Sequence, residues 1–199
     1  MLSVEGLGKK YGSKWLFRSI SFQIYPEDRL IITGRNGSGK STLLKILAGF
    51  IEPTEGMIKR SSGNIQNVIG YSSLEMNLYP QLSAKEHLEI ASKLRKIESN
   101  SEKLLDLVGL KNADNLETEK FSSGMKARLK LALAIAHHPK TLILDEPTVS
   151  LDQEGIQAFE DVLDYMQKSI IIIATNEQRD SQYATCQLNI DGKYSHSHS

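Results

Sequence analysis

The sequence predicts an α/β layered domain with parallel strands, an antiparallel β layer at its N-terminus and a helical subdomain inserted near the middle. Three observations carry that prediction: two early segments of period two, apolar strands alternating with helices, and a helical stretch between about 74 and 127. In order, residues 2–5 and the trio Ile20, Phe22 and Ile24 alternate as half-buried antiparallel strands do. Residues 29–33 form a compact strand that runs straight into a glycine cluster. A helix over 41–49 follows, with Leu43, Leu44, Ile46 and Leu47 toward a sheet and Gly49 as its stop. Pro53 and Gly56 mark a turn, and 67–72 reads as the next strand. Ala84, Leu88, Ala91 and Leu94 share one helical face. A second helix over 102–108 ends at Gly109, and a third over 124–138 is stopped by Pro139. His137 and His138 fall in the last turn of that third helix, where a cation complements the dipole. Strand signals return at 141–144 and 170–174 around a helix over 153–167, and a last strand lies near 187–190. Residues 1–199 thus read as a single domain, with the helical subdomain at about 76–130 and a low-complexity tail, about 194–199, expected to be disordered.

A length of 199 residues suits one domain with a core of its own. Lys plus Arg and Asp plus Glu both number 24, so net charge is zero. No basic block stands out either, and nucleic acid is not an expected partner. The longest unbroken apolar run is six residues, far short of the ~18 of a membrane span, so the chain is expected to be soluble. Cys186 is the one cysteine, which excludes an internal disulfide framework, fits a reducing compartment and reads as a small buried hydrophobe.

Gly34, Arg35, Asn36, Gly37, Ser38, Gly39, Lys40 and Ser41 fit the pattern G-x-x-x-x-G-K-[ST] without a mismatch. The motif follows a predicted strand and opens a predicted helix, as its mechanism requires. Glycines let backbone N–H groups turn onto phosphate oxygens, and the helix N-terminus adds partial positive charge. Lys40 supplies a point charge to the β- and γ-phosphates, and Ser41 a hydroxyl ligand for Mg2+. Thr42 extends the same first turn. Asp145, 105 residues after Lys40, and Glu146 end an apolar strand, where adjacent carboxylates are costly unless they meet a cation. Asp145 is placed to hold Mg2+, and Glu146 to polarise an attacking water.

Ser122, Ser123, Gly124 and Met125, after Phe121, open the third helix 21 residues before Asp145, counted from Gly124. A hydroxyl-rich helix start is either an anion site or simply a helix cap. Taken together these segments resemble the ATP-binding cassettes of ABC transporters, P-loop NTPases with a RecA-like layered core. The resemblance covers essentially the whole chain, and the compact length is similar to the small single cassettes of haem-exporter type. It aligns Phe121 to Met125 with the L-S-G-G-Q signature, Ser150, Leu151 and Asp152 with the D-loop, and Tyr11 with the aromatic that stacks on adenine.

The resemblance implies two cassettes closing head to tail around two ATP molecules, with the signature of each facing the phosphates held by the other. It also implies a membrane permease docked near 74–90, and hence a cytoplasmic protein held peripherally at the inner face of the cell membrane. Two departures bear on rate. Leu74 stands where the family has a Mg2+-binding glutamine, with Ser73 and Glu75 as neighbours that could substitute, and Asn176 replaces the switch histidine. ATP binding with slow hydrolysis is therefore the expectation. The alternatives are a non-hydrolysing ATP-gated interaction module and a soluble ABC-type ATPase of translation or DNA repair.

Overall fold

The computed structural model describes residues 1–60, 68–190 and, for the backbone alone, 193–196. The described strands are β1 (Leu2–Tyr11), β2 (Lys14–Ile24), β3 (Arg29–Thr33), β4 (Glu55–Arg60), β5 (Ile69–Ser73), β6 (Thr141–Asp145), β7 (Ile170–Ala174), β8 (Cys186–Asn189) and β9 (Lys193–His196). The α-helices are α1 (Lys40–Leu47), α2 (Ala84–Arg95), α3 (Ser101–Leu107), α4 (Ser123–Ile135) and α5 (Gln153–Tyr165).

Two sheets result. β2, β1 and β4 make an antiparallel layer, and a six-stranded sheet runs in the order β5-β6-β7-β3-β8-β9, parallel except for β9. The central strands carry unbroken apolar sequence because both of their faces are covered. Ile31, Leu142, Leu144, Ile171 and Ile173 pack with the faces of α2 to α5 on one side. Leu30, Ile32, Ile143, Ile170 and Ile172 pack on the other side with α1 and the antiparallel layer. The alternation along each strand is therefore a choice of layer, not of core against solvent.

Helix starts are set by local chemistry. Ser83 and Glu86 close a reciprocal capping box at α2. Ser122 accepts a hydrogen bond from the Met125 N–H at α4, and Asp152 accepts one from Gly155 at α5. Among the described residues no helix is long and apolar enough to cross a membrane.

The structure departs from the sequence-based expectations in three places. β4 lies where only a turn was expected: none of its residues is fully buried, so burial patterning is faint, yet its backbone completes the edge of β1. The tail is not disordered throughout, because 193–196 pairs antiparallel with β8, Asn189 opposite Lys193. An open sheet edge can be completed by backbone alone, with no demand on side-chain type. Residues 197–199 of the tail, and Asn67 of the expected strand over 67–72, lie outside the described residues. Finally, α4 ends at Ile135, so His137 and His138 stand beyond its last turn.

His137 is not the cation that the dipole argument expects. Its Nε2 lies 3.0 Å from the Ile69 carbonyl oxygen, and its Nδ1 is buried with no partner. A proton on Nδ1 would be an unpaired buried N–H, and burial lowers the pKa from 6.5 to about 4. The imidazole therefore clips the end of α4 to β5 as a neutral donor. Beside it, a Cβ on Gly70 would run into the carbonyl oxygen of Ala134 and the ring of Pro139, so the two elements pack with no room between them. Because the folded pKa is depressed, this contribution to stability is complete above the unfolded value of 6.5 and is lost as pH falls from there toward about 4. Urea midpoints measured from pH 7.5 to 4.5 should fall more for the wild type than for His137→Gln, which keeps an N–H for Ile69 but does not titrate. Equal slopes would show that His137 is not the titrating clip.

Candidate functional site

Four strand ends meet at one edge of the parallel sheet. The register sets Ser73 beside Asp145, Asp145 beside Ala174, and Ala174 beside Ile32. The loops leaving β5, β6, β7 and β3 consequently start level with one another, and they contain Leu74, Glu146, Asn176 and the run from Gly34. Brought together from distant sequence, these are the residues singled out for nucleotide chemistry.

The 34–41 loop wraps the start of α1. Gly39 is the N-cap, with φ of 103°, a backbone that side chains rarely adopt, and it makes no side-chain cap. The first N–H groups of α1 thus have no side-chain acceptor, which leaves them to an anion. Leu16 and Phe17 of β2 press on the position a Cβ would take at Gly39, so the β1–β2 hairpin lies against the loop. Arg35, Asn36 and Gly37 are exposed at the tip, and Ser38 donates its N–H to the Arg35 carbonyl. The Ser38 hydroxyl is buried and unpartnered. Ser41 and Thr42 lie half-buried in the first turn of α1.

Lys40 is buried, and its ammonium donates to the Gly34 carbonyl at 3.0 Å and to Asn176 Oδ1 at 2.8 Å. The Asn176 amide nitrogen in turn donates to Asn36 Oδ1 at 2.7 Å and Glu146 Oε1 at 2.8 Å, and its backbone N–H reaches Glu146 Oε2 at 3.2 Å. One asparagine therefore joins the lysine, the loop tip and the acid. Glu146 holds a left-handed backbone, φ 52°, with its N–H donated to Ala174. Its pKa is raised, chiefly by burial, against the opposing hydrogen bond from the Asn176 N–H.

Asp145 is buried, and burial pushes its pKa up while the Ser41 hydroxyl pulls it down. Its Oδ1 has no hydrogen-bond partner. A hydroxyl and an orphaned carboxylate oxygen side by side are hard oxygen donors, and they fit Mg2+. Among the described residues no three His, Cys, Asp or Glu side chains group as a metal site, so further ligands would have to come from a nucleotide or water.

Among the described residues, Tyr11, the run from Ser122 to Met125 and the Ser150, Leu151, Asp152 turn make no hydrogen bond to this cluster, whereas Ser73 and Leu74 lie at the same edge. Tyr11 ends β1 with its ring exposed and the Lys9 ammonium 5.2 Å from its centroid. Ser122 and Ser123 are exposed at the start of α4, with Gly124 buried and Met125 half-buried behind them. A Cβ on Gly124 would come within 3.3 Å of the Ser150 carbonyl, so the start of α4 adjoins the Ser150, Leu151, Asp152 turn. Leu74 is exposed, and only its carbonyl is used, accepting from Lys130 Nζ at 2.7 Å. Glu75 is engaged by Lys45 at 2.8 Å, whereas Ser73 is buried and level with Asp145. Sequence reasoning missed Lys45, Lys130 and Asp180. None of them sits in a motif, and an isolated acid in a loop, as Asp180 is, normally reads as solvent-exposed.

A family model for the ABC transporter matches residues 17–149. The chain is 34% identical to the ABC transporter ATP-binding protein YybJ of Bacillus subtilis, over 96% of this chain and 92% of that protein. It is 36% identical to the lantibiotic transport ATP-binding protein SrtF of Streptococcus pyogenes, over 82% of this chain and 74% of that one. In fold it matches the ATP-binding cassette MJ0796, whose structure is a dimeric post-hydrolysis state bound to ADP and Pi. The TM-score is 0.84 with full coverage of both chains and 22% identity. The chain belongs to the ABC transporter family, as an ATP-binding cassette of the ATPase type.

Proposed function

We propose that this cassette works as one of a pair that closes head to tail around two ATP molecules and drives a separate membrane permease. The pair would be held at the inner face of the membrane by that permease. The observation that carries the reading is the convergence on Asn176, whose side chain lies within 2.8 Å of both Lys40 Nζ and Glu146 Oε1. Lys40 exchanges the neutral oxygens of Gly34 and Asn176 for phosphate oxygens, a stronger charge-assisted pairing. Backbone N–H groups of 34–42 cradle the phosphates, and Tyr11 stacks on the base. Ser41 and Asp145 would hold Mg2+, which when bound neutralises phosphate charge. Glu146 accepts a proton from the attacking water, and its raised pKa suits a base. Asn176, with its amide nitrogen released from Asn36, donates an N–H to the γ-phosphate. Ser122, Ser123, Gly124 and Met125 meet the nucleotide of the partner cassette, and Ser150, Leu151 and Asp152 line the seam beside them. A permease contact near 74–90 rests on the family resemblance. The transport relatives do not favour the interaction-module or translation alternatives.

Mg2+-dependent ATP hydrolysis, measured across protein concentration, tests the reading. Glu146→Gln should lower turnover by at least about 100-fold while ATP affinity stays within a few fold. Turnover retained in that variant would remove Glu146 as the base. Leu74 offers the cation no side-chain ligand and Asn176 gives the γ-phosphate only a neutral donor, so turnover is slow and Asn176→His, which can carry charge, should raise it about tenfold, part of the ~10²–10³ that one charge-stabilising donor can contribute. No change would mean that position 176 does not limit the rate. Adding Mg2+ to the ATP-bound protein should raise the wild-type melting temperature further, and Asp145→Asn should abolish that increment. An undiminished increment would place the cation elsewhere.

A further inference from the structure

Asp180 is fully buried, in the turn after β7, yet it serves no local cap: the short helical turn that contains it has no side-chain cap at Glu177. Its carboxylate instead takes two threonine hydroxyls from two separate loops. Thr175 Oγ1 donates to Oδ2 at 2.7 Å, and Thr148 Oγ1 donates to Oδ2 at 2.9 Å and Oδ1 at 3.1 Å. Both threonines are buried as completely as the acid. Arg179, half-exposed, adds a bond from Nη2 to the Thr148 carbonyl at 2.9 Å and brings its Nε to 3.9 Å from Asp180.

Thr175 precedes Asn176, and Thr148 follows Glu146 by two residues. Since Asn176 also bonds Glu146, the contacts close a ring: Glu146, Pro147, Thr148, Asp180, Thr175, Asn176 and back to Glu146. Within that ring Glu146 keeps its left-handed backbone. A non-glycine residue holds such a strained conformation only where its surroundings over-determine it. A sealed carboxylate is itself expensive, and an apolar side chain would fill the same space without that cost. The hydroxyl contacts offset it, and they tie together the two loops that present the acid and the γ-phosphate donor.

We propose that Asp180 is a positioning residue for hydrolysis, fixing the loops of Glu146 and Asn176 in register through Thr148 and Thr175. The proposal rests on the reading of Glu146 as the base. Because Thr148 leads into the Ser150, Leu151, Asp152 turn, the same carboxylate also sets that turn relative to Asn176.

The test uses the full chain with Thr148→Val and Thr175→Val, near-isosteric changes that remove one hydroxyl each, alongside Asp180→Asn and Glu146→Gln. Hydrogen–deuterium exchange needs no turnover. Each valine variant should exchange about tenfold faster in both 146–151 and 174–178, including the loop that was not altered. Acceleration confined to the altered loop would overturn the coupling. In hydrolysis, both variants and Asp180→Asn should lose about 10- to 100-fold in kcat with KM within twofold, as misplacement of a reacting group does. The two valine losses should also fail to add in the double variant, because either one breaks the ring. Wild-type kcat in both valine variants, with Glu146→Gln inactive, would overturn the role of Asp180 and leave the base in place. Retained turnover in Glu146→Gln would instead overturn the reading of the site on which it rests.

Discussion

Parallel pairing of β7 with β3 on one side and β6 on the other decides where every reacting group can be. That pairing sets Ile32, Ala174 and Asp145 level, so three loops leave the sheet at one height and in the same direction. Parallel strands need crossover connections, and here those crossovers supply the layers on both faces of the sheet. The apolar sequence of the three strands is thus bound up with the site. Only strands buried on both faces can stand side by side in the centre, and only central strands bring their C-terminal ends together. The antiparallel layer adds a further constraint through Leu16 and Phe17, which press on Gly39 and hold the turn into α1.

Electrostatics at that edge leaves the site poised rather than settled. Lys40 is buried with two neutral oxygens as its partners, while Asp145 is buried with one oxygen unpartnered. Burial disfavours charge on both Asp145 and Glu146, and it is opposed chiefly by the Ser41 hydroxyl for the first and the Asn176 N–H for the second, with Lys40 pulling in the same direction on both. Such an arrangement is a poor way to stabilise a fold, since buried charge gains least from neutral partners. It is a good way to bind a polyanion with its cation, because each addition completes a coordination that the protein leaves short.

Much of this was legible in the sequence, for a physical reason. The 34–41 run, the Asp145, Glu146 pair and the Ser122 cap are local patterns, in which neighbours along the chain are neighbours in space. β3, β6 and β7 were legible because apolar strands alternating with helices leave few ways to layer. β4 was not, since none of its residues is fully buried and its backbone pairing with β1 is what places it, and β9 is likewise placed by backbone pairing with β8. His137 misled because the helix stops three residues earlier than its sequence predicts, turning an expected end-of-helix cation into a neutral clip. Asn176 was seen as a substitution, but its bond to Asn36 crosses 140 positions and no periodicity encodes that. Asp180 was missed because an isolated acid in a loop normally signals solvent.

Leu74 shows how a position with no side-chain ligand to offer can still be held in place. The position offers no side-chain oxygen, yet its carbonyl is held by Lys130 from α4, and the next residue, Glu75, is held by Lys45 from α1. The two bonds differ in kind. Glu75 is exposed, so its ion pair is screened by water and weakens with salt. Lys130 is partly desolvated, which together with the charge of Lys126 lowers its pKa, and a neutral carbonyl is its partner. A clamp with one end on each helix fixes the loop leaving β5 between the layer that carries the phosphate loop and the layer that begins at Ser122. Any shift of α4 relative to α1 must then move this loop or break one of its two bonds. The loop thus links the two layers mechanically through the Leu74 carbonyl and the Glu75 carboxylate, with no part played by the Leu74 side chain.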